Sequence, residues 1–300
     1  MLRRVIWALA VVVCLSAPVA VHAQGDYLDV YMVKVKPEKL ADFQALTKKW
    51  VDANRRFNGA HWITTETMFG EGNVYSFVSP RQDYAEIEKA NESMMQAVNK
   101  AFGKDATDKL MRDFDNCLEW SRSELRRRRF DLSRKHPMDM ASYAKLIGES
   151  RVVRTTAVHI RPGRIADFEA LMKDTKEASE KAPNTFPLLV SQVVEGTQGT
   201  TFYITSLRSS LGGFDKNPTI RDILGEEGYK RFLQVNSESV ERTESALVRF
   251  SPELSNPAEE IVQVAADFWH PKATMAASTM KPKTSTAKTA ELKPTAEKPK

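Results

Sequence analysis

Residues 37–46 read PEKLADFQAL, and residues 162–171 read PGRIADFEAL. Six of the ten positions are identical, and three more exchange residues of similar chemistry. The match extends upstream, where residues 33–35, VKV, align with residues 158–160, VHI. The period is far longer than that of a solenoid repeat, so each copy should be a domain in its own right. The sequence therefore predicts a duplicated domain.

The domain organisation follows from this repeat and from two atypical ends. Downstream of the decamers, residues 79–81, SPR, align with residues 206–208, SLR. The chain of 300 residues has a hydrophobic fraction of 42%, which excludes disorder of the whole chain. We predict a signal peptide at 1–23, a first unit at 24–133, a helical linker at 134–151, a second unit at 152–255, a C-terminal extension at 256–270 and a disordered tail at 271–300.

Both units read as the element order βαββαβ, a ferredoxin-like arrangement and therefore α+β. Alternating apolar residues indicate strands, apolar residues on one helical face indicate helices, and glycine-rich segments supply hairpin turns. The second helical region of the first unit should run through Leu118, and that of the second unit to about residue 243. The predicted strands are 27–36, 62–69, 74–79 and 123–130 in the first unit, and 155–161, 188–195, 200–206 and 245–250 in the second.

The junction of strand and helix resembles a known family. A strand ending in Val35-Lys36-Pro37 or Ile160-Arg161-Pro162, then a basic residue, an aliphatic residue, Asp-Phe and Leu, is similar to the dimeric α/β-barrel superfamily. Its members include antibiotic-biosynthesis monooxygenase-like and NIPSNAP-like domains. The resemblance implies that two units pack the open faces of their sheets into a barrel. A tandem copy implies that one chain can build the barrel alone, as a monomeric pseudo-dimer or within a homodimer.

Strand alternation predicts which side chains face the barrel interior. His159 and Tyr203 fall on the interior face of the second unit, and Met32, Lys34 and Ser76 on that of the first. Few polar groups among apolar walls are typical of a small-ligand site. In a catalytic interpretation, His159 is the base and Tyr203 orients the substrate. In the alternative, the two side chains only hydrogen-bond across the sheets.

Four more residues are candidate ligand-binding groups. His61 and Trp62 open the second strand, and Glu66 lies farther along it as a candidate base or as a solvated edge-strand residue. Arg127 belongs to the run 126–129, RRRR, and shares a strand face with Arg129. That face would bind a carboxylate or phosphate, or it would be the solvated face of an edge strand that resists aggregation.

The two ends carry the basic charge and indicate the compartment. Residues 1–23 combine two arginines, a short apolar run and a final Val-His-Ala, a pattern typical of a cleaved signal peptide. An uncleaved anchor and a lipoprotein acylated at Cys14 are the alternatives. Residues 271–300 hold seven lysines and two glutamates without an aromatic residue. We predict an exported protein, periplasmic or secreted, whose tail attaches to an anionic cell-envelope surface or only keeps the chain soluble.

Several functions are not indicated by the sequence. It has no phosphate-cradling glycine loop, no Gly-x-Ser-x-Gly, and no histidine or cysteine spacing for a metal, so we expect no metal and no cofactor. The resemblance carries over no axial haem ligand. Residues 24–270 are nearly neutral, so no specific nucleic-acid partner is expected. We predict an exported protein that binds a small apolar or amphipathic molecule in the barrel. The alternative is a cofactor-independent monooxygenase or isomerase, as the resemblance implies.

Overall fold

The computed structural model describes residues 25–270. The predicted signal peptide and the tail 271–300 lie outside this part of the chain. Eight strands occur within it: β1 (Tyr27–Val35), β2 (Ile63–Phe69), β3 (Val74–Arg81), β4 (Leu118–Arg128), β5 (Val152–Ile160), β6 (Leu189–Glu195), β7 (Thr200–Arg208) and β8 (Val240–Phe250). Its α-helices are α1 (Leu40–Phe57), α2 (Tyr84–Phe102), α3 (Lys104–Asn116), α4 (Met140–Glu149), α5 (Ile165–Lys181), α6 (Ile220–Ser239), α7 (Glu259–Val264) and α8 (Ala266–Trp269).

The eight strands close into one antiparallel barrel in the order β1-β3-β2-β8-β5-β7-β6-β4. Each unit supplies four strands, and the two units meet where β2 pairs with β8 and where β4 pairs with β6. This confirms the predicted α+β fold and the intramolecular barrel. Closure leaves no sheet edge in the barrel, so the edge-strand interpretations of Glu66 and Arg127 are wrong.

Local sequence explains most element boundaries. Asn58 adopts a left-handed φ of 51° at the end of α1, and Gly103, with a φ of 80°, separates α2 from α3. Three strands begin earlier than predicted: β4 starts at Leu118, β5 at Val152 and β8 at Val240. Leu118 was predicted to be helical. Pairing with β1 holds it in a strand, which shows that tertiary context overrides the local pattern.

The outer face of the barrel is covered by helices. Val158 and Phe202 pack against Phe168 and Met172 of α5, while Val33 packs in the corresponding cluster under α1. The prediction that these apolar sets lie under the helices is therefore confirmed. None of the described helices is long and apolar enough to cross a membrane.

One end of the barrel is closed by segments outside the two units. Helix α4 lies within the predicted linker and contributes Tyr143 and Ile147 to a core that includes Phe250. The C-terminal extension joins the same core through Trp269, which is fully buried and donates its indole N–H to the carbonyl of Gly148 at 3.3 Å. The opposite end of the barrel is the mouth, where β1, β5 and β6 finish.

Candidate functional site: one cavity inside the barrel and one under the helices

Two cavities of similar size, each of about 340 Å³, are candidate sites in the described part of the chain. The first lies inside the barrel, where the sequence predicts a site. The second lies between the outer face of β1 and β3 and the helices of the first unit. It is called here the cleft, and its walls include Asp29, Trp50, Trp62 and Arg81.

Three of the predicted residues line the barrel cavity. Met32, Ser76 and Tyr203 all face it, together with apolar and threonine side chains from all the strands except β4, which supplies mainly arginines. The interior also holds a carboxylate that the sequence analysis did not single out. Glu124 lies directly opposite Val30 of β1, so both side chains point inward.

Glu124 is the centre of a buried polar cluster. Arg126 donates to it through Nε at 2.8 Å, and Arg122 Nε lies 3.1 Å from its other oxygen. The Tyr203 hydroxyl donates to the same carboxylate at 3.3 Å, and the Arg126 guanidinium lies 3.4 Å from the centre of the Tyr203 ring. Burial raises the pKa of Tyr203, so the phenol stays neutral at physiological pH. Tyr203 therefore acts as a hydrogen-bond donor within a preformed ion-pair network.

His159 lies at the mouth of the barrel with different partners. Its Nδ1 is 3.0 Å from the Thr201 hydroxyl, and its Nε2 is 3.4 Å from Glu244 without hydrogen-bond geometry. A hydrogen bond from Arg242 lowers the pKa of Glu244, and the nearby charge of His159 adds to this effect. His159 and Tyr203 thus contact different carboxylates. Their shared catalytic role is not tested by these contacts and stays a prediction.

The other predicted ligand-binding residues do not meet in the barrel. Lys34 lies at the mouth in ion pairs of 3.0 Å with Glu71 and Glu119. His61 is exposed before β2 begins. Trp62 lines the cleft instead, and its indole N–H donates to the carbonyl of Leu254 at 2.9 Å.

Glu66 and Arg127 point away from the barrel interior. Glu66 lies on the outer face of β2, where it accepts two hydrogen bonds from Arg249, at 2.8 and 2.9 Å, and one from Tyr75. Arg127 is exposed, while its neighbours Arg126 and Arg128 are buried in the barrel. Strand alternation places Arg127 on the opposite face from Arg126 and Arg128. Without the pairing partners, it does not show which of the two faces lies inside the barrel.

Asp29 is the acidic group of the cleft. Its strand, β1, is otherwise apolar where it faces the core, and Asp29 is directly opposite Ser79 of β3. The carboxylate lies 3.7 Å from Arg81 Nη2. Burial raises the pKa of Asp29, an effect that the charge of Arg81 only partly offsets. A raised carboxyl pKa beside a cavity is typical of a general base.

Two buried N–H donors in the cleft walls lack partners. Arg81 Nε and Trp50 Nε1 are both buried, and neither has a hydrogen-bond partner in the part of the chain that the structure describes. An unsatisfied buried donor costs about 1–3 kcal/mol, so such groups are usually paired. The remaining walls combine three aromatic side chains, Tyr31, Phe77 and Phe114, with aliphatic and small polar ones, and most of their surface is apolar. The cleft therefore fits a flat apolar molecule that carries a hydrogen-bond acceptor.

The cleft was not predicted from the sequence, although one residue pattern indicates it. Aspartate is depleted in strands, so Asp29 within a Val- and Tyr-rich strand was an anomaly worth following. Arg81 and Trp50 carry no such signal, because arginine at a strand end and tryptophan on a helix face are ordinary. The residues described here include no cluster of three histidine, cysteine, aspartate or glutamate side chains that could hold a metal ion.

Known proteins resemble this chain only weakly. No family model matches the chain, and no curated protein is significantly similar to it in sequence. Solved structures do resemble it. An anthrone oxidase-like protein has a TM-score of 0.48 at 14% identity, covering 77% of this chain and 93% of that one. A proposed monooxygenase from Lactobacillus acidophilus NCFM has a TM-score of 0.45 at 9% identity, covering 77% and 97%. Chlorite dismutase from Candidatus Nitrospira defluvii has a TM-score of 0.44 at 9% identity, covering 79% and 94%.

Proposed function

We propose that the chain is an enzyme that removes a proton from a small, flat, apolar substrate bound in the cleft. The observation that carries this proposal is the half-buried carboxylate of Asp29 in a cleft whose walls also hold two unpartnered N–H donors, Arg81 Nε and Trp50 Nε1. A base and an oxyanion-stabilising pair are the two groups that abstraction of a proton next to a carbonyl requires. The proposal rests on these residues and not on the similar structures.

In the proposed reaction, the Asp29 carboxylate takes a proton from a carbon next to the substrate carbonyl. The electron pair of the broken C–H bond moves into an enolate, whose oxygen accepts hydrogen bonds from Arg81 and Trp50. In an isomerase, Asp29 returns the proton to a different carbon. In a cofactor-independent monooxygenase, the same carbanion would add to molecular oxygen to form a hydroperoxide. Loss of a second proton from that carbon and cleavage of the O–O bond would then leave a carbonyl group and release water. Both reactions share the first step, and the cleft supplies the groups for it without a metal.

A second candidate function is binding without chemistry inside the barrel. The specific observation that favours it is the interior cavity, where Met32, Ser76 and Tyr203 lie among apolar side chains. Its polar groups are already paired with one another, since Glu124 accepts from both Arg126 and Tyr203. A ligand there would gain mainly apolar contact. Export of the protein to the periplasm or medium is part of this proposal.

A substitution that fills one of the two cavities tests where the ligand binds. Native mass spectrometry on the full chain, with and without that substitution, is the measurement. Ala60→Phe fills the cleft and Ser76→Phe fills the barrel, so each is the matched control for the other. We expect Ala60→Phe to lose the co-purified small molecule and Ser76→Phe to keep it. The reverse result would contradict the cleft assignment and support the barrel binder. Melting curves of both variants exclude loss through unfolding.

A further inference from the structure

The second unit differs from the first at the position that corresponds to the cleft. Asp29 is opposite Ser79 in the first unit, and Arg154 is opposite Ser206 in the second. Arg208 takes the position of Arg81. A carboxylate–arginine pair in one copy is therefore replaced by two arginines in the other.

Arg154 and Arg208 share an aromatic platform. The guanidinium of Arg154 lies 4.4 Å from the centre of the Phe214 ring, and that of Arg208 lies 5.4 Å from the same centre. Arg208 is also 4.3 Å from the Phe186 ring, and the Phe186 carbonyl accepts a hydrogen bond from Arg134. The three arginines thus form one local group, called here the arginine cluster.

The arginine cluster lacks a counter-charge in the described residues. No carboxylate there lies within ion-pair distance of Arg134, Arg154 or Arg208, and neighbouring Asp215 forms no ion pair with them. Two other buried arginines have such partners, since Arg126 pairs with Glu124 and Arg81 with Asp29. Arg134 and Arg208 are only 9% and 6% exposed, and their bonds go to backbone carbonyls, Ser179 and Asn217.

Burial without a carboxylate is electrostatically costly, and the three charges repel one another. Burial lowers the pKa of Arg208, and the nearby charges of Arg134 and Arg154 lower it further. The Arg154 side chain is exposed and makes no hydrogen bond with any other described residue, so its N–H donors are free to meet a ligand. Guanidinium groups bind the oxygens of phosphate and sulfate with two parallel hydrogen bonds.

We propose that the arginine cluster is an anion site that takes a phosphate or sulfate group, with Arg154 as the direct ligand. Arg134 and Arg208 contribute positive charge from the buried side of the site. The site is distinct from the cleft, because Arg154 and Arg208 lie in the second unit, Arg134 lies in the linker, and none of them lines the cleft. Its ligand is a free oxyanion or the phosphate group of a larger molecule, and phenyl phosphate against inorganic phosphate distinguishes these sources.

The test is a titration of the full chain with inorganic phosphate, sulfate and phenyl phosphate, in which calorimetry measures binding. Sodium chloride at equal ionic strength is the control. The variants are Arg154→Met and the control Arg56→Met, which also removes an exposed arginine that lies over a phenylalanine ring. We expect saturable binding to the wild type and to Arg56→Met, and binding about ten-fold weaker in Arg154→Met, equivalent to about 1.4 kcal/mol. No saturable binding to the wild type, or equal binding by Arg154→Met, would overturn the proposal.

Discussion

At the scale of single residues, the chain places two carboxylates in opposite electrostatic situations. Glu124 in the barrel is enclosed by Arg122, Arg126 and Tyr203, whereas Asp29 in the cleft has one arginine at 3.7 Å. A fully paired carboxylate stabilises the structure around it. A poorly compensated one with a raised pKa is available for proton transfer.

Removing the Glu124 carboxylate should be strongly destabilising. Glu124→Ala leaves buried Arg126 without a counter-charge, and breaking a buried pair typically costs about 3–5 kcal/mol. Asp113→Ala is the control, because it removes an exposed partner of Lys109 and should cost less than about 1 kcal/mol. Urea denaturation of both variants measures the difference. Equal, small losses would mean that the buried cluster contributes little to stability.

In contrast to the carboxylate of Glu124, the charged carboxylate of Asp29 should destabilise the folded state. Its pKa is raised above 3.8 in the folded chain, so the folded state holds the proton more tightly than the unfolded state. The contribution of Asp29 to stability is therefore lost as pH rises from about 3.8 through its folded pKa. Asp29→Asn lacks this loss, while the groups with a lowered pKa, such as Glu244, titrate in the same way in both chains. We expect the variant to be at least as stable as the wild type at pH 7, with the advantage disappearing near pH 3. Denaturant unfolding across this range checks it, and a clear loss of stability at pH 7 would contradict it.

At the scale of elements, the barrel depends on close contact where the two units meet. Gly196, at the end of β6, has a φ of 100°, and a Cβ there would lie 2.2 Å from the carbonyl oxygen of Ser123 in β4. Gly199 also has a positive φ, of 68°, but nothing lies within 4 Å of its Cβ position. Substitutions at these two glycines therefore distinguish the effect of steric contact at the β4–β6 junction from the effect of backbone strain.

We expect Gly196→Ala to destabilise the chain more than Gly199→Ala. Both substitutions carry the left-handed backbone penalty of about 1 kcal/mol, and only the first adds a clash of about 1–3 kcal/mol. Thermal melts of the two variants measure the difference. Equal melting temperatures would indicate that β4 and β6 separate easily to accept the added methyl group.

The elements also show what sequence could and could not predict. The βαββαβ units could be predicted from the repeated decamers, because each copy repeats the same turn signals and the same apolar alternation, while the barrel was implied by the family resemblance. They could not predict that residues 256–270 bury Trp269 against α4, since no periodic pattern marks that segment. The cleft was missed because it is formed by side chains on β1, β3 and three helices that come together only through packing.

At the scale of the whole molecule, the folded body and the basic tail should act independently. Residues 271–300 carry a net charge of +5 against about −2 for residues 24–270. We propose that the tail attaches the exported protein to anionic envelope material, and that a chain ending at His270 loses this binding but keeps its melting temperature. Co-sedimentation at two salt concentrations, with a melting curve for each chain, tests it. Equal sedimentation of both chains would contradict the attachment role.

The central claim is that Asp29 abstracts a proton from a substrate in the cleft. The most direct measurement follows C–H to C–D exchange by NMR in D2O, with the full chain and a panel of small aromatic ketones and enols. We predict exchange with the wild type and with Ser76→Phe, and a loss of about 10²–10⁴-fold in Asp29→Asn that retains the ligand by native mass spectrometry. Exchange that is unchanged in Asp29→Asn, or absent from the wild type with a ligand that demonstrably occupies the cleft, would contradict the account.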